Sequence, residues 1–191
     1  MRFRQFVAII ENNSSAIAKK WAKGVSESRY TKTYRKLPRE ELVKIGKRVY
    51  DNLGQWLHPE TPQSEIGMIY ADIGAKRYEQ GFPLCEISYA IHYTKKVLLN
   101  HILTESVLPD TLKLYQTQDF VRMIHDFFDL AAFYLTRGFQ EALYKKVASQ
   151  KGISKKNLQD IFPAGSFYYE MEPDFRSFEN ALEGFNLFKV Q

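Results

Sequence analysis

An all-α fold, a bundle of about five helices organised around a long fifth one, follows from three features of this sequence. Apolar residues recur at helical spacing through most of the chain. No stretch alternates apolar and polar side chains as a strand does. Proline and glycine fall between the periodic segments, where helices must end. With 191 residues, 45% of them hydrophobic and 15% aromatic, the chain carries the apolar mass for one sizeable core, and no internal repeat divides it.

The first predicted helix runs from Phe3 to Val25, with Phe6, Ile10, Ile17 and Trp21 on one side and Glu11, Lys19, Lys20 and Lys23 on the other. Asn13 and Ser14 notch the apolar stripe, and a kink, a polar partner or a helix crossing each accounts for them. Gly24 opens a connection through Tyr30 and Tyr34 to Leu37-Pro38-Arg39-Glu40-Glu41. Proline fits a first helical turn and carboxylates favour its positive end, so the second helix starts there. Its face is Leu42, Ile45, Val49, Leu53 and Trp56, and it stops at His58-Pro59 because the residue before a proline is pushed out of the helical region.

Past Pro62, the third helix places Ile66, Ile69, Tyr70 and Ile73 inward. Gly74-Ala75 gives it a flat surface for close packing, and Gly81 ends it. Phe82-Pro83-Leu84 opens the fourth helix, with Leu84, Ile87, Ile91, Leu98 and Ile102 inward, running to about Ser106 before the break at Pro109. The fifth is the most apolar. Phe120, Met123, Ile124, Phe127, Phe128, Ala131, Tyr134, Leu135, Phe139 and Val147 cover more than one face, as in a central helix or one that offers a face to a partner chain. Residues 1–149 thus form the bundle. Lys151-Gly152 ends it, and residues 150–191 form a C-terminal extension punctuated by Pro163, Gly165 and Pro173. Phe162, Phe167, Tyr168, Tyr169, Phe175, Phe178, Phe185 and Phe188 make this extension too aromatic for a freely solvated segment. Asp174 to Phe188 is predicted to be a short amphipathic helix docked on the bundle or on a partner subunit.

Charge and chemistry narrow the function. The net charge is +5 and the isoelectric point about 9.1, but the basic residues lie in short clusters such as Lys19-Lys20, Lys95-Lys96 and Lys155-Lys156. A nucleic-acid footprint needs a contiguous patch, so nucleic acid is not the expected partner. The mean hydropathy of −0.39, the lack of a long apolar run and the lack of a secretory signal point away from membranes and toward the cytoplasm. The one cysteine, Cys85, fits a reducing compartment.

No His-x-x-x-His or Glu-x-x-His pair sets two ligands on one helical face, so no metal site is expected. His92, His101 and His125 are the candidates for holding a haem or a small hydrophobic molecule, with His101 and His125 expected near the core and His92 and His58 at the surface. Asp126 and Asp129 share a helical face that reads as solvated. With no nucleophile elbow, phosphate-binding glycine loop, Cys-His arrangement or kinase signature, no catalytic residue is assigned and an enzyme is not expected.

The most distinctive stretch is Ile73-Gly74-Ala75-Lys76-Arg77-Tyr78-Glu79-Gln80-Gly81-Phe82-Pro83-Leu84-Cys85-Glu86-Ile87. It resembles the N-terminal domain of the RsbT co-antagonist proteins of the bacterial stressosome. There a helix ends in Gly-x-x-Arg/His-x-x-x-Gly, followed by a small or proline residue and an apolar-x-Glu-apolar helix start. Ala18-Lys19-Lys20-Trp21 and Leu37-Pro38-Arg39-Glu40-Glu41-Leu42 extend the resemblance, which covers roughly residues 3–147. Related domains also head some sensor histidine kinases. The resemblance implies a helical input module that dimerises and passes a signal down its last helix to an output domain. No phosphorylatable output domain and no kinase dimerisation helix follows here, so the expectation is a homologue that acts by association with a downstream signalling protein. Arg77 and Glu86, the charged members of the segment, are read as capping or bridging the two helices.

Independently, Phe127, Phe128, Phe133, Tyr134 and Phe139 occupy more faces of the fifth helix than one core stripe accepts. A homodimer is the expected cover. The sequence therefore reads as a non-catalytic signal-input domain, with a ligand-binding helical sensor as the alternative.

Overall fold

The computed structural model describes residues 4–58, 60–105 and 111–162. The regular elements there are helices: α1 (Arg4–Glu27), a short 3-10 turn (Tyr34–Lys36), α2 (Arg39–Trp56), α3 (Gln63–Glu79), α4 (Leu84–Glu105), α5 (Thr111–Ala148) and α6 (Lys155–Ile161). The α1 stripe is buried as its spacing predicts, from Phe6 and Ile10 through Ile17 to Trp21. Its polar notch faces α2. Ser14 is buried, and hydrogen bonds from Lys47 and Ser14 hold the Asp51 carboxyl below the usual carboxylate range, so the notch has a polar partner. Pro38 sits at the capping position, one residue before α2, with Glu40 and Glu41 in the first turn.

Local chemistry sets the α3–α4 junction. Gly81 adopts φ +76°, the left-handed conformation that L side chains avoid. The Phe82 N–H then donates to the Arg77 carbonyl at 3.0 Å and the Gly81 N–H to the Tyr78 carbonyl at 2.9 Å, the paired bonds of a Schellman cap. A Cβ built on Gly81 meets nothing within 4 Å, so Gly81→Ala is opposed by backbone strain alone. The expected cost is about 1 kcal/mol, about 2–4 °C in Tm, with Gly81→Asn losing less because asparagine tolerates this conformation.

The helices pair unevenly. α1 packs along α2, α3 along α5, and α4 bridges α1 and α5. The α3–α5 crossing is the tightest. A Cβ on Gly74 falls 2.0 Å from the Leu135 carbonyl oxygen, and one on Gly138 falls 1.9 Å from that of Ala71. Here Gly74-Ala75 provides the close packing expected of it. α2 and α3 are neighbours in sequence but barely touch. They are joined at one end by an aromatic cluster, where Trp56 meets Tyr70 at 5.8 Å and Phe127 at 6.1 Å between ring centroids.

Two expectations need correction. Phe127, Phe128 and Tyr134 are 2%, 1% and 0% exposed, so α3 and α4 of the same chain cover the second apolar face of α5 and no partner chain is needed for these three. Phe139 is half-buried, and only Phe133 of that group stays exposed, at 44%. The inward residues of α2 are Leu42, Gly46, Tyr50 and Leu53, whereas Ile45 and Val49 are only half-buried. α6 was not anticipated. Ser154 caps it by accepting from the Asn157 N–H, and Phe162 folds back onto Tyr144 of α5 with ring centroids 5.3 Å apart. The helix expected over residues 174–188 lies outside the described residues.

Candidate functional site

The residues of the Gly74–Glu86 segment do not converge on a single point, but two of them grip the same loop. The Arg77 guanidinium lies 4.7 Å from the centre of the Phe82 ring and 5.6 Å from that of Tyr34, and it donates to Gln80 at 2.8 Å. The Glu86 carboxylate, nearly buried, accepts the Thr33 N–H at 2.7 Å and the Thr33 hydroxyl at 3.2 Å. Thr33 and Tyr34 belong to the α1–α2 connection, which the two charged residues thereby pin to the α3–α4 junction. Burial pushes the Tyr34 hydroxyl up to about 12, with Arg77 opposing and Glu86 adding to the shift. Pro83 precedes α4, and its carbonyl accepts the N–H groups of Glu86 and Ile87. Rather than capping or bridging α3 and α4, as read from the sequence, Arg77 and Glu86 tie that junction to the connection between the first two helices.

Where α2 and α3 diverge, a cleft of about 280 Å³ opens. Its walls are Ile45 and Val49 of α2 and Ile69 and Ile73 of α3, all half-buried. Trp21, Tyr34, Trp56, Tyr70 and Phe128 give it an aromatic interior, closed on the α4 side by Ile87, Ala90 and Ile91. Glu41, Arg48, Lys76, Arg77 and Gln80 stand at its margin. Most polar groups of the interior are satisfied: the Trp21 Nε1–H donates to the Ala90 carbonyl at 3.4 Å and the Tyr50 hydroxyl to the Thr94 carbonyl at 3.3 Å. Tyr70 is the exception. It lines the cleft, 2% exposed, and its hydroxyl meets no hydrogen-bond partner. Burial raises the hydroxyls of both Tyr50 and Tyr70 well above the usual tyrosine range.

The histidines stand apart from this cleft. His101 is buried in α4, as expected, but His92 and His125 are exposed, His125 against expectation, and none of the three lines the cleft. Among the described residues no group of three or more His, Cys, Asp or Glu side chains comes together to hold a metal. Asp129 pairs with Lys95 across α4 and α5 at 2.5 Å, while burial, followed by the neighbouring Asp129, raises the Asp126 carboxyl. Sequence reading missed Tyr50, Thr33, Arg48 and Gly138. Tyr50 carried a usable signal, since it falls four positions after Gly46 and three before Leu53 on the α1-facing side of α2.

Fold and cleft together define a class: a helical bundle that presents an apolar interhelical slot and a tightly capped helix junction. The family model described as the RsbT co-antagonist protein rsbRD N-terminal domain matches residues 15–150, and the chain belongs to that family. Membership makes it a regulatory domain of the stress-signalling type, a class that works through protein partners. No curated protein and no solved structure matches the chain. None of the described helices is long and apolar enough to cross a membrane.

Proposed function

We propose that this chain is a non-catalytic signal-input domain of a bacterial stress or two-component-type pathway, working by self-association and by association with a downstream signalling protein. The observation that carries the reading is family membership over residues 15–150, which takes in α2 to α5 and the whole Gly74–Glu86 junction. Such a domain transmits through surfaces rather than through bond chemistry. A surface is available where α3 and α5 run together. Gly67 lies against the Tyr134 ring, and the residues adjoining that contact, Met68 at 51% and Phe133 at 44% exposure, are large apolar side chains left in water. A second copy meeting this side covers both.

Native mass spectrometry and light scattering at micromolar concentration test the proposal. The expected result is a dimer for the natural chain and a monomer with an unchanged helical circular dichroism spectrum for Phe133→Glu. A monomeric natural chain overturns the self-association part, and a dimer indifferent to Phe133→Glu overturns its placement on α5.

A further inference from the structure

We propose that the cleft between α2 and α3 is a binding site for a small amphiphilic anion, an apolar body carrying one acidic headgroup. The body is argued from the walls. Ile45, Val49, Ile69 and Ile73 are apolar side chains at core-like helical positions, yet they remain half-buried because the two helices that bear them stand apart. They face a space of about 280 Å³, just under the roughly 300–1,000 Å³ typical of ligand pockets, which limits the ligand to a small one. Aromatic side chains underlie that space, so flat or aliphatic groups both find contact there.

The headgroup is argued from the rim. Arg48, Lys76 and Arg77 stand there against one carboxylate, Glu41, while Asp72, one turn before Lys76, draws on the Lys76 ammonium at 2.6 Å. The balance is positive, and Arg48 is exposed and oriented by no structural duty comparable to the ring stacking of Arg77. A second, independent observation comes from inside. The Tyr70 hydroxyl is buried on the cleft wall without a partner, an arrangement that costs free energy unless something polar reaches it. A ligand with an acceptor along its body, or a water that it traps, supplies that partner. No histidine takes part, which separates this site from a haem pocket.

The test uses the full chain and 8-anilino-1-naphthalenesulfonate as an aromatic anion probe, with decanoate, decanol and decylammonium as competitors. The expected result is one probe bound per chain with blue-shifted emission. Decanoate displaces it at least ten-fold better than decanol or decylammonium, and Arg48→Glu weakens binding about ten-fold without changing Tm. Ile73→Trp, which fills the cleft, abolishes binding. Should Ile73→Trp fail to fold by circular dichroism, Ile45→Phe takes its place as the filling variant. Absence of saturable binding, equal competition by decanoate and decanol, or binding that survives filling each overturns the site. Tyr70→Phe separates the two arguments when read with 5-oxodecanoate, which carries a carbonyl acceptor along its body: a weaker affinity than for the natural chain supports the hydroxyl contact and an unchanged one removes it. Recording oligomeric state on the same samples keeps this result distinct from the self-association proposal, since a monomer that binds the probe overturns only the latter.

Discussion

Above about pH 10 the bundle is expected to lose stability steadily with rising pH and to unfold cooperatively in alkali. Tyr34, Tyr50 and Tyr70 are 3%, 0% and 2% exposed, and burial raises the hydroxyl pKa of all three. In the unfolded chain each ionises at its ordinary value of about 10. In the folded chain Tyr34 waits until about 12 and the other two longer. The folded state therefore binds more protons than the unfolded one throughout this window. The contribution is fully present below pH 10 and is lost as pH rises, at about 1.4 kcal/mol per unit for each tyrosine. Three such groups exhaust the 5–15 kcal/mol of a typical domain within one to a few pH units. Tyrosinate absorbance near 295 nm should rise in two phases. The phase contributed by Tyr34, Tyr50 and Tyr70 should appear only together with loss of the circular dichroism signal. Tyr70→Phe removes one of the three and gives up no hydrogen bond, so it should widen the alkaline range while leaving stability at pH 7 nearly unchanged. A single-phase titration that runs ahead of unfolding would contradict this account.

Gly138→Ala should lower stability by about 3–4 kcal/mol, about 10 °C in Tm, although alanine is the better helix former by about 1 kcal/mol. The added methyl lands 1.9 Å from the Ala71 carbonyl oxygen and 2.5 Å from its carbon. These are backbone atoms within a helix, so no rotamer change relieves the contact and α3 must move off α5 as a whole. Gly74→Ala strikes the same crossing from the other side, 2.0 Å from the Leu135 carbonyl oxygen. Because either change forces the same separation, the double variant should cost clearly less than the sum of the singles. Urea denaturation of the three variants measures both claims, and additive losses would show that the two glycines act independently.

The helices were legible because their stripes and breakers agree. Leu84 begins α4 as expected, and Gly81 ends the α3 segment with the left-handed cap that its position requires. The site was less so. Ile45, Val49, Ile69 and Ile73 carry the same apolar periodicity as Leu42, Leu53, Ile66 and Tyr70, and periodicity cannot tell a side chain that meets a neighbour from one that faces a gap. That difference depends on how far apart the α1–α2 and α3–α5 pairs settle. The aromatic crowding on α5 was read correctly as needing a second cover. For Phe127, Phe128 and Tyr134 the cover comes from the chain's own helices, a choice between intramolecular and intermolecular burial that no local pattern encodes. Arg48 went unnoticed because an arginine on a solvated face looks alike whether or not a cleft opens beside it.

The Trp56–Tyr70–Phe127 cluster joins the two helix pairs at one end of the cleft, the place a fulcrum would occupy. On one side α1 and α2 form a jaw; on the other α3 and α5, locked together at Gly74 and Gly138, form a stiff arm. From Phe127 to Ala148 that arm extends about 32 Å at the usual helical rise, so a rotation of about 5° at the fulcrum sweeps its tip through about 3 Å. A hinge there would change the width of the jaw and the position of the far end of α5 together, with α4, which packs on both α1 and α5, having to yield at one of its two contacts.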